Sequence, residues 1–288
     1  MTPAAFRYAR PDSVAAAVAL LHPRAQLLAG GQSFVPLLVR RAARPDLVID
    51  INRIPGLADI DIVAGVIRMG ALVRLEQARR SEIVRAELAV LAAALGWVGN
   101  PVIRRRGTVV GNLVMNAPGA ELPAVAVALG AEFLIRSRDG KTMTIAAHQA
   151  VPAGTMVTHV LWPRQPGGGG FYQVSRREGH VGVVSAAVSR TGDGVQDGTQ
   201  NDIDGTQNDI RVGVSGICQT ALACDAVAGV VAAAWPAVPE SRALALALGA
   251  DIADRSLHAD LQAGAHYRLA VAPEVIRRAA QSMLAGRG

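Results

Sequence analysis

The chain has 288 residues, 51 % of them hydrophobic and 18 % charged, which supplies apolar material for more than one core and excludes a disordered chain. Its formal charge of +6 comes from scattered arginines with only 3 % aromatic residues, which argues against the one-sided, ring-interleaved basic surface of a nucleic-acid binder. No apolar run reaches the roughly 18 residues of a membrane span, no signal-peptide pattern opens the chain, and Cys218 and Cys224 lack metal-ligand spacing, so a cytoplasmic protein with free thiols is expected.

Residues 1–57 predict a small α/β unit, with a helix over Ser13–Leu21, a strand over Ala25–Leu28, a helix over Phe34–Arg41 and a strand over Leu47–Ile51. Between the first strand and the second helix stands L-L-A-G-G-Q-S-F, Leu27 to Phe34. Gly30 and Gly31 can adopt positive φ and have no Cβ, so backbone N–H groups can converge on one guest, while Gln32 and Ser33 add side-chain donors. A helix starting near Phe34 aims its positive end at the same place, which suits a phosphate or pyrophosphate. Taken alone, the segment reads equally well as a plain connection.

Residues 58–166 predict a second, larger α+β unit: a strand over Val66–Met69, a helix over Leu75–Arg80, a longer helix over Glu82–Trp97, and strands near Glu132–Ile135, Thr142–Ile145 and Val157–Trp162. Within it, Gly107 to Asn112 reads as a second small-residue turn carrying a hydroxyl and an amide. Glu121 follows just before a helix over Leu122–Leu129. Two phosphate-grade turns and a downstream carboxylate predict a dinucleotide gripped from two sides, with Glu121 free to take ribose hydroxyls. The Rossmann fingerprint is excluded, because no G-x-G-x-x-G follows a strand and opens a helix.

Pro163, Pro166 and Gly167–Gly170 read as a hinge or surface loop joining domains. Residues 171–288 then predict a three-stranded antiparallel sheet over Phe171–Ser175, Gly182–Ser189 and Arg211–Ser215. Helices follow over Leu222–Ala234, Arg242–Leu248 and Gly264–Ala285, the last interrupted at Pro273. The heptapeptide D-G-T-Q-N-D-I occurs at 197–203 and again at 204–210. It reads as a lengthened surface hairpin rather than a calcium loop, since the closing glutamate of an EF-hand is missing.

In this order the segments resemble the FAD-binding medium subunit of the molybdenum hydroxylases, a family that includes carbon monoxide dehydrogenase and xanthine dehydrogenase. The family's A-G-G-[QH]-S stands at Ala29–Ser33, its I-R-N-R-G-T-I-G-G-N at Ile103–Asn112, and its P-x-A-[DE]-L-P at Pro118–Pro123. R-M-G-A-L-V-R-L at Arg68–Leu75, S-R-R-E at Ser175–Glu178, and Tyr267, Arg268, Arg277 and Arg278 extend the likeness over nearly the whole chain. The resemblance implies an α+β protein: a two-part FAD-binding domain of the PCMH type over 1–57 and 58–166, then the C-terminal domain over 171–288.

It further implies FAD held by Ala29, Gly30, Gly31, Gln32 and Ser33 on one side and by Thr108, Val109, Val110, Gly111 and Asn112 on the other. Glu121 would stand at the ribose or adenine end, Tyr172 would complete the set, and Arg176 and Arg177 would dock the third domain. No residue is nominated as acid, base, nucleophile or metal ligand. The implied role is electron transfer, from [2Fe-2S] clusters of a small partner subunit to FAD and on to an external acceptor. A large molybdopterin subunit and a dimer of heterotrimers are implied alongside. Departures from the pattern are Val110 for a glycine, Arg105 for an asparagine, Ala117 for an aspartate, Tyr172 for a lysine, and Gly179 and His180 where an aspartate is common. Val110 is expected to obstruct one backbone approach to the cofactor and weaken its binding, which leaves a flavin-free scaffold as the alternative.

Overall fold

The computed structural model describes residues 2–165, 168–177, 179–190 and 210–285. In chain order the elements are β1 (Arg7–Ala9), α1 (Val14–Ala19), β2 (Ala25–Leu28), α2 (Phe34–Val39), β3 (Leu47–Asp50), β4 (Ile60–Val63), β5 (Val66–Gly70), α3 (Leu75–Arg80), α4 (Glu82–Glu87), α5 (Ala89–Leu95), α6 (Pro101–Arg106), α7 (Val109–Met115) and α8 (Glu121–Leu129). They continue with β6 (Glu132–Ser137), β7 (Thr142–Ala146), β8 (Thr155–Pro163), β9 (Gly169–Ser175), β10 (Gly182–Arg190), β11 (Ile210–Ser215), β12 (Leu222–Ala223), α9 (Asp225–Ala234), α10 (Ser241–Asp251) and α11 (Ala265–Ala285). The chain divides into two units: Met1–Ser81, Gly99–Met115 and Gly130–Pro163 form the first, and Glu82–Val98, Asn116–Leu129 and Arg164–Gly288 the second.

The first unit holds two sheets. Its parallel three-stranded sheet has the order β1-β3-β2, with β3 buried along its whole length as a central strand must be. Ser13 starts α1 by accepting a hydrogen bond from the Ala16 amide through its side chain. The second sheet is antiparallel, in the order β4-β5-β8-β6-β7. In β6 the inward Phe133 and Ile135 alternate with outward Glu132 and Arg136, the two-residue period of a strand with one buried face.

In the second unit the antiparallel sheet β12-β11-β10-β9 is packed by helices. Every residue of β10 except Arg190 is buried, which requires cover on both faces, and both α8 and α11 pack on it. Helix α8, E-L-P-A-V-A-V-A-L, is apolar almost all round and all of its residues are buried. Helix α11 lies so close to β9 that a Cβ on Gly170 would stand 2.1 Å from the Ala279 carbonyl oxygen. Arg268 of α11 is 1 % exposed and donates to the carbonyls of Val183, Gly216 and Ala263 and to Asp260, so each nitrogen of the buried cation has a partner.

Several expectations need correction. The single helix over Glu82–Trp97 breaks at Leu88, where φ −136° and ψ 62° leave the helical region and the backbone bridges Gln165. Leu222–Ala223 pairs with β11 as a fourth strand, so the helix read from Leu222 begins at Asp225. Helix α11 runs unbroken through Pro273, whose ring is buried. Gly169 and Gly170 belong to β9 rather than to a hinge, while Pro166 and Gly167 lie outside the described residues. The heptapeptide repeat also lies outside them, apart from Ile210, which opens β11. Among the described residues no helix is long and apolar enough to cross a membrane.

Candidate functional site

The two turns singled out in the sequence meet in the first unit. The first follows β2 and ends at Ser33, the N-cap of α2, whose hydroxyl makes no capping bond. Gly31 takes φ +70°, a conformation that favours glycine, and the Gln32 side chain folds back to donate to the Gly30 carbonyl at 3.1 Å. The second turn is shorter than the sequence suggests. Asn100 caps α6 by accepting from the amides of Val102 and Ile103 at 3.0 Å, Pro101 fills its first position, and the helix stops at Gly107. Helix α7 then starts at Val109, so Gly107 to Asn112 is not one continuous turn: Val109–Asn112 are helical. The physical reason is Thr108, whose Oγ1 accepts from the Gly111 amide at 2.9 Å and restarts the helix at once.

Contact between the turns is direct. A Cβ on Gly30 would lie 2.3 Å from the Arg106 carbonyl oxygen and 2.9 Å from the Gly107 Cα, so only glycine permits this approach. Gly107 in turn is 3.6 Å, by the same construction, from Cγ of Gln32. Polar side chains unforeseen in the sequence brace the junction. Asn52 Nδ2 donates to the Ala29 carbonyl at 2.9 Å and to Asp50 at 2.7 Å. Arg74 donates to the Arg106 carbonyl at 2.8 Å and to Asn52 Oδ1 at 2.7 Å. Asp50 also accepts from the Tyr8 hydroxyl and pairs with Arg10 at 3.5 Å. Burial alone would raise the Asp50 pKa, but the hydrogen bonds from Tyr8 and Asn52 and the Arg10 charge outweigh it and hold the carboxyl below its ordinary value. Burial lowers the Arg74 guanidinium from its ordinary value, against the opposing pull of Asp50.

A second charged group flanks the turn. Glu76 on α3 accepts from Arg79, Arg80 and Arg104 at 2.7 to 3.3 Å, and these donors hold its pKa at about 2 against the upward push of burial. Exposed Arg105 and Arg106 follow on α6. Cys218 and Cys224 are buried free thiols whose pKa values burial raises, and among the described residues no group of three or more His, Cys, Asp or Glu could hold a metal.

The expected site residues fare differently. Ala29–Ser33 and Gly111 are at least partly open to solvent and Asn112 is half-buried. Thr108, Val109 and Val110 are 2 %, 0 % and 4 % exposed, so their side chains belong to the core. The β-branched side chain of Val110, expected to obstruct one approach to the cofactor, lies inside the protein in the empty chain. Glu121 and Tyr172 belong to the second unit. Glu121 is 4 % exposed at the start of α8 and already has a partner, so it is not the free carboxylate expected, as burying an unpaired carboxylate is costly. Tyr172 packs edge-on to Trp97 with ring centroids 5.5 Å apart, and its hydroxyl accepts from Arg278 at 2.7 Å.

The double turn fits a dinucleotide on two observations. The glycine contact leaves backbone rather than side chains at the junction, and the Asn112 side-chain oxygen is buried without a hydrogen-bond partner, an acceptor that a ligand donor would satisfy. Within the second unit, Ser175 and Arg176 of the S-R-R-E block and Tyr267 line one cavity, so two distant segments of the sequence pattern converge there too.

Residues 4–162 match the family model described as the FAD binding domain in molybdopterin dehydrogenase. The chain is 38 % identical over 199 residues to the 6-hydroxypseudooxynicotine dehydrogenase complex subunit alpha of Paenarthrobacter nicotinovorans, covering 65 % of this chain and 67 % of that one. It is 28 % identical over 296 residues to the carbon monoxide dehydrogenase medium chain of Afipia carboxidovorans, covering 98 % and 97 %. A chain from the crystal structure of a Cu,Mo-CO dehydrogenase superposes with a TM-score of 0.85 at 27 % identity over 99 % of both chains.

Proposed function

The chain belongs to the FAD-binding medium subunits of the molybdopterin dehydrogenases, and from that membership we propose that it relays electrons from partner-held [2Fe-2S] clusters, through FAD on this chain, to an external acceptor. FAD supplies the redox chemistry when bound; the residues of this chain bind it, orient it and tune its surroundings. Ala29, Gly30, Gly31, Gln32 and Ser33 are the proposed grip on one side of its pyrophosphate. On the other side the Thr108 and Val110 amides and the Asn112 side chain are proposed for the same work, since the Val109 and Gly111 amides already donate to the Val73 carbonyl and to Thr108 Oγ1, and the Thr108, Val109 and Val110 side chains serve the core. Glu121 and Tyr172 stand in the second unit, and their part in holding the cofactor is a proposal from the family resemblance alone.

The observation that carries this reading is the contact of Gly30 with the Arg106–Gly107 peptide, which makes one cradle of two turns that are distant in sequence but adjacent in space. A large molybdopterin subunit and a small [2Fe-2S] subunit are the proposed partners, assembled as a dimer of heterotrimers. Substrate choice is assigned to the molybdopterin subunit. The flavin-free scaffold loses the support that Val110 gave it, because that side chain is 4 % exposed in the core. The test is the visible spectrum of the chain purified with its partners, with the released cofactor identified and counted. About one FAD per chain, bleached by the substrate of the complex, is expected; an assembled complex that refuses added FAD overturns the reading.

A further inference from the structure

Two backbone turns make a binding cradle only if something fixes their separation, because each ends a short helix or strand that can fray. Here one carbonyl is the meeting point. The Arg106 oxygen faces the bare Cα of Gly30 and receives Nη1 of Arg74 at 2.8 Å. The other arm of the same guanidinium reaches Asn52 Oδ1 at 2.7 Å, and Asn52 Nδ2 donates to the Ala29 carbonyl at 2.9 Å. A continuous chain of hydrogen bonds thus runs from the first turn to the second and passes through one arginine.

The ends of that chain are themselves anchored. The Leu75 amide donates to the Gly107 carbonyl and the Val109 amide to the Val73 carbonyl, both at 3.0 Å, so residues 73–75 run as a ladder beside 107–109. Asn52 is held by its own backbone amide on Asp50 at 2.9 Å. A planar fork presents two nitrogens in fixed directions, here one to a carbonyl and one to a side-chain oxygen, whereas an ammonium offers its three N–H donors from a single atom on a flexible stem and spans the two acceptors less well.

We propose that Arg74, acting through Asn52 and the Arg106 carbonyl, is the positioning residue that preassembles the two glycine turns into one cradle and so sets how long FAD is retained. The inference rests on the FAD reading above and concerns a residue that none of the motifs of this family resemblance marks as a ligand. Its mechanical half is independent of the cofactor: with the clamp cut, both turns open more often even in the empty chain.

The test uses the full chain with Arg74→Met, which keeps an apolar stem and removes the fork, and with Arg74→Lys. Hydrogen exchange of the amides at 30–33 and 107–112 is followed without FAD, and the FAD release rate is followed by recovery of its fluorescence. Arg74→Met is expected to speed exchange in both turns and FAD release by about tenfold, with Arg74→Lys recovering less than half of the loss. A merely structural role would lower the melting temperature while the folded fraction kept its FAD at the native rate, and that result overturns the proposal. If the native chain itself takes no FAD, the functional reading fails and exchange alone decides the clamp: faster in both turns upholds it, unchanged overturns it. Should Arg74→Met fail to fold, Asn52→Ala decides by the same criteria, since it cuts the link to Ala29 and leaves Arg74 on Arg106.

Discussion

A methyl group added at Gly30 would sit 2.3 Å from a carbonyl oxygen, and backbone cannot step aside as a side chain can. Gly30→Ala is therefore expected to cost roughly 1–3 kcal/mol of stability, read from urea denaturation, and to lower FAD affinity in the folded fraction. Val110→Gly should share the loss of stability but not the effect on FAD. It removes a core side chain and places glycine in α7, costing about 3 kcal/mol, while FAD retention by the folded chain stays unchanged. Glu76 gives a pH prediction. Its pKa falls from 4.5 unfolded to about 2 folded, so its stabilisation is complete above 4.5 and is lost as the pH falls toward 2. Glu76→Gln should flatten the acid limb of the stability curve across that window, with the loss screened by the partial exposure of its arginine partners. At this scale the glycines were legible, because their lack of a Cβ is written in the sequence. Asn52 and Arg74 were not: each acts on a backbone carbonyl, 23 and 32 residues away, and a backbone acceptor leaves no mark in the residue that carries it.

Elements read from apolar periodicity and length matched best where they were self-contained. The strand Ala25–Leu28 and the helix Leu75–Arg80 have the bounds the sequence suggests. Helices α6 and α7 were missed because each is short and is started by a single polar cap, Asn100 or Thr108, rather than by a long apolar stripe. The break at Leu88 was invisible for another reason: the periodicity continues across it, and only its bridge to Gln165 interrupts the helix. Arg268 shows how one side chain can govern an element. It holds the carbonyls of Val183 and Ala263, two residues that line the cavity shared by Ser175 and Tyr267. Arg268→Met is expected to cost about 3 kcal/mol, since three carbonyls and Asp260 lose their donor at once. Denaturant unfolding measures that cost, and a change below about 0.5 kcal/mol would refute the assignment.

For the whole molecule, bound FAD should stabilise the folded chain by mass action, about 2.7 kcal/mol at a hundredfold excess over its Kd, seen as a rise in melting temperature with added cofactor. The polypeptide leaves the first unit after residues 81, 115 and 163 and returns to it after 98 and 129. The family match ends at 162, so it includes α4, α5 and α8, whose packing partners lie in the second unit. This interleaving has a cost during synthesis. When the ribosome has made residue 163 the first unit has all its sequence, but α8, with every side chain destined for burial, still lacks β10 and β11. Translation of the intervening stretch takes on the order of 3–10 seconds. Over that interval a greasy helix must be shielded from other nascent chains, and a polypeptide stopped at 163 should come out as aggregate unless a chaperone is co-produced.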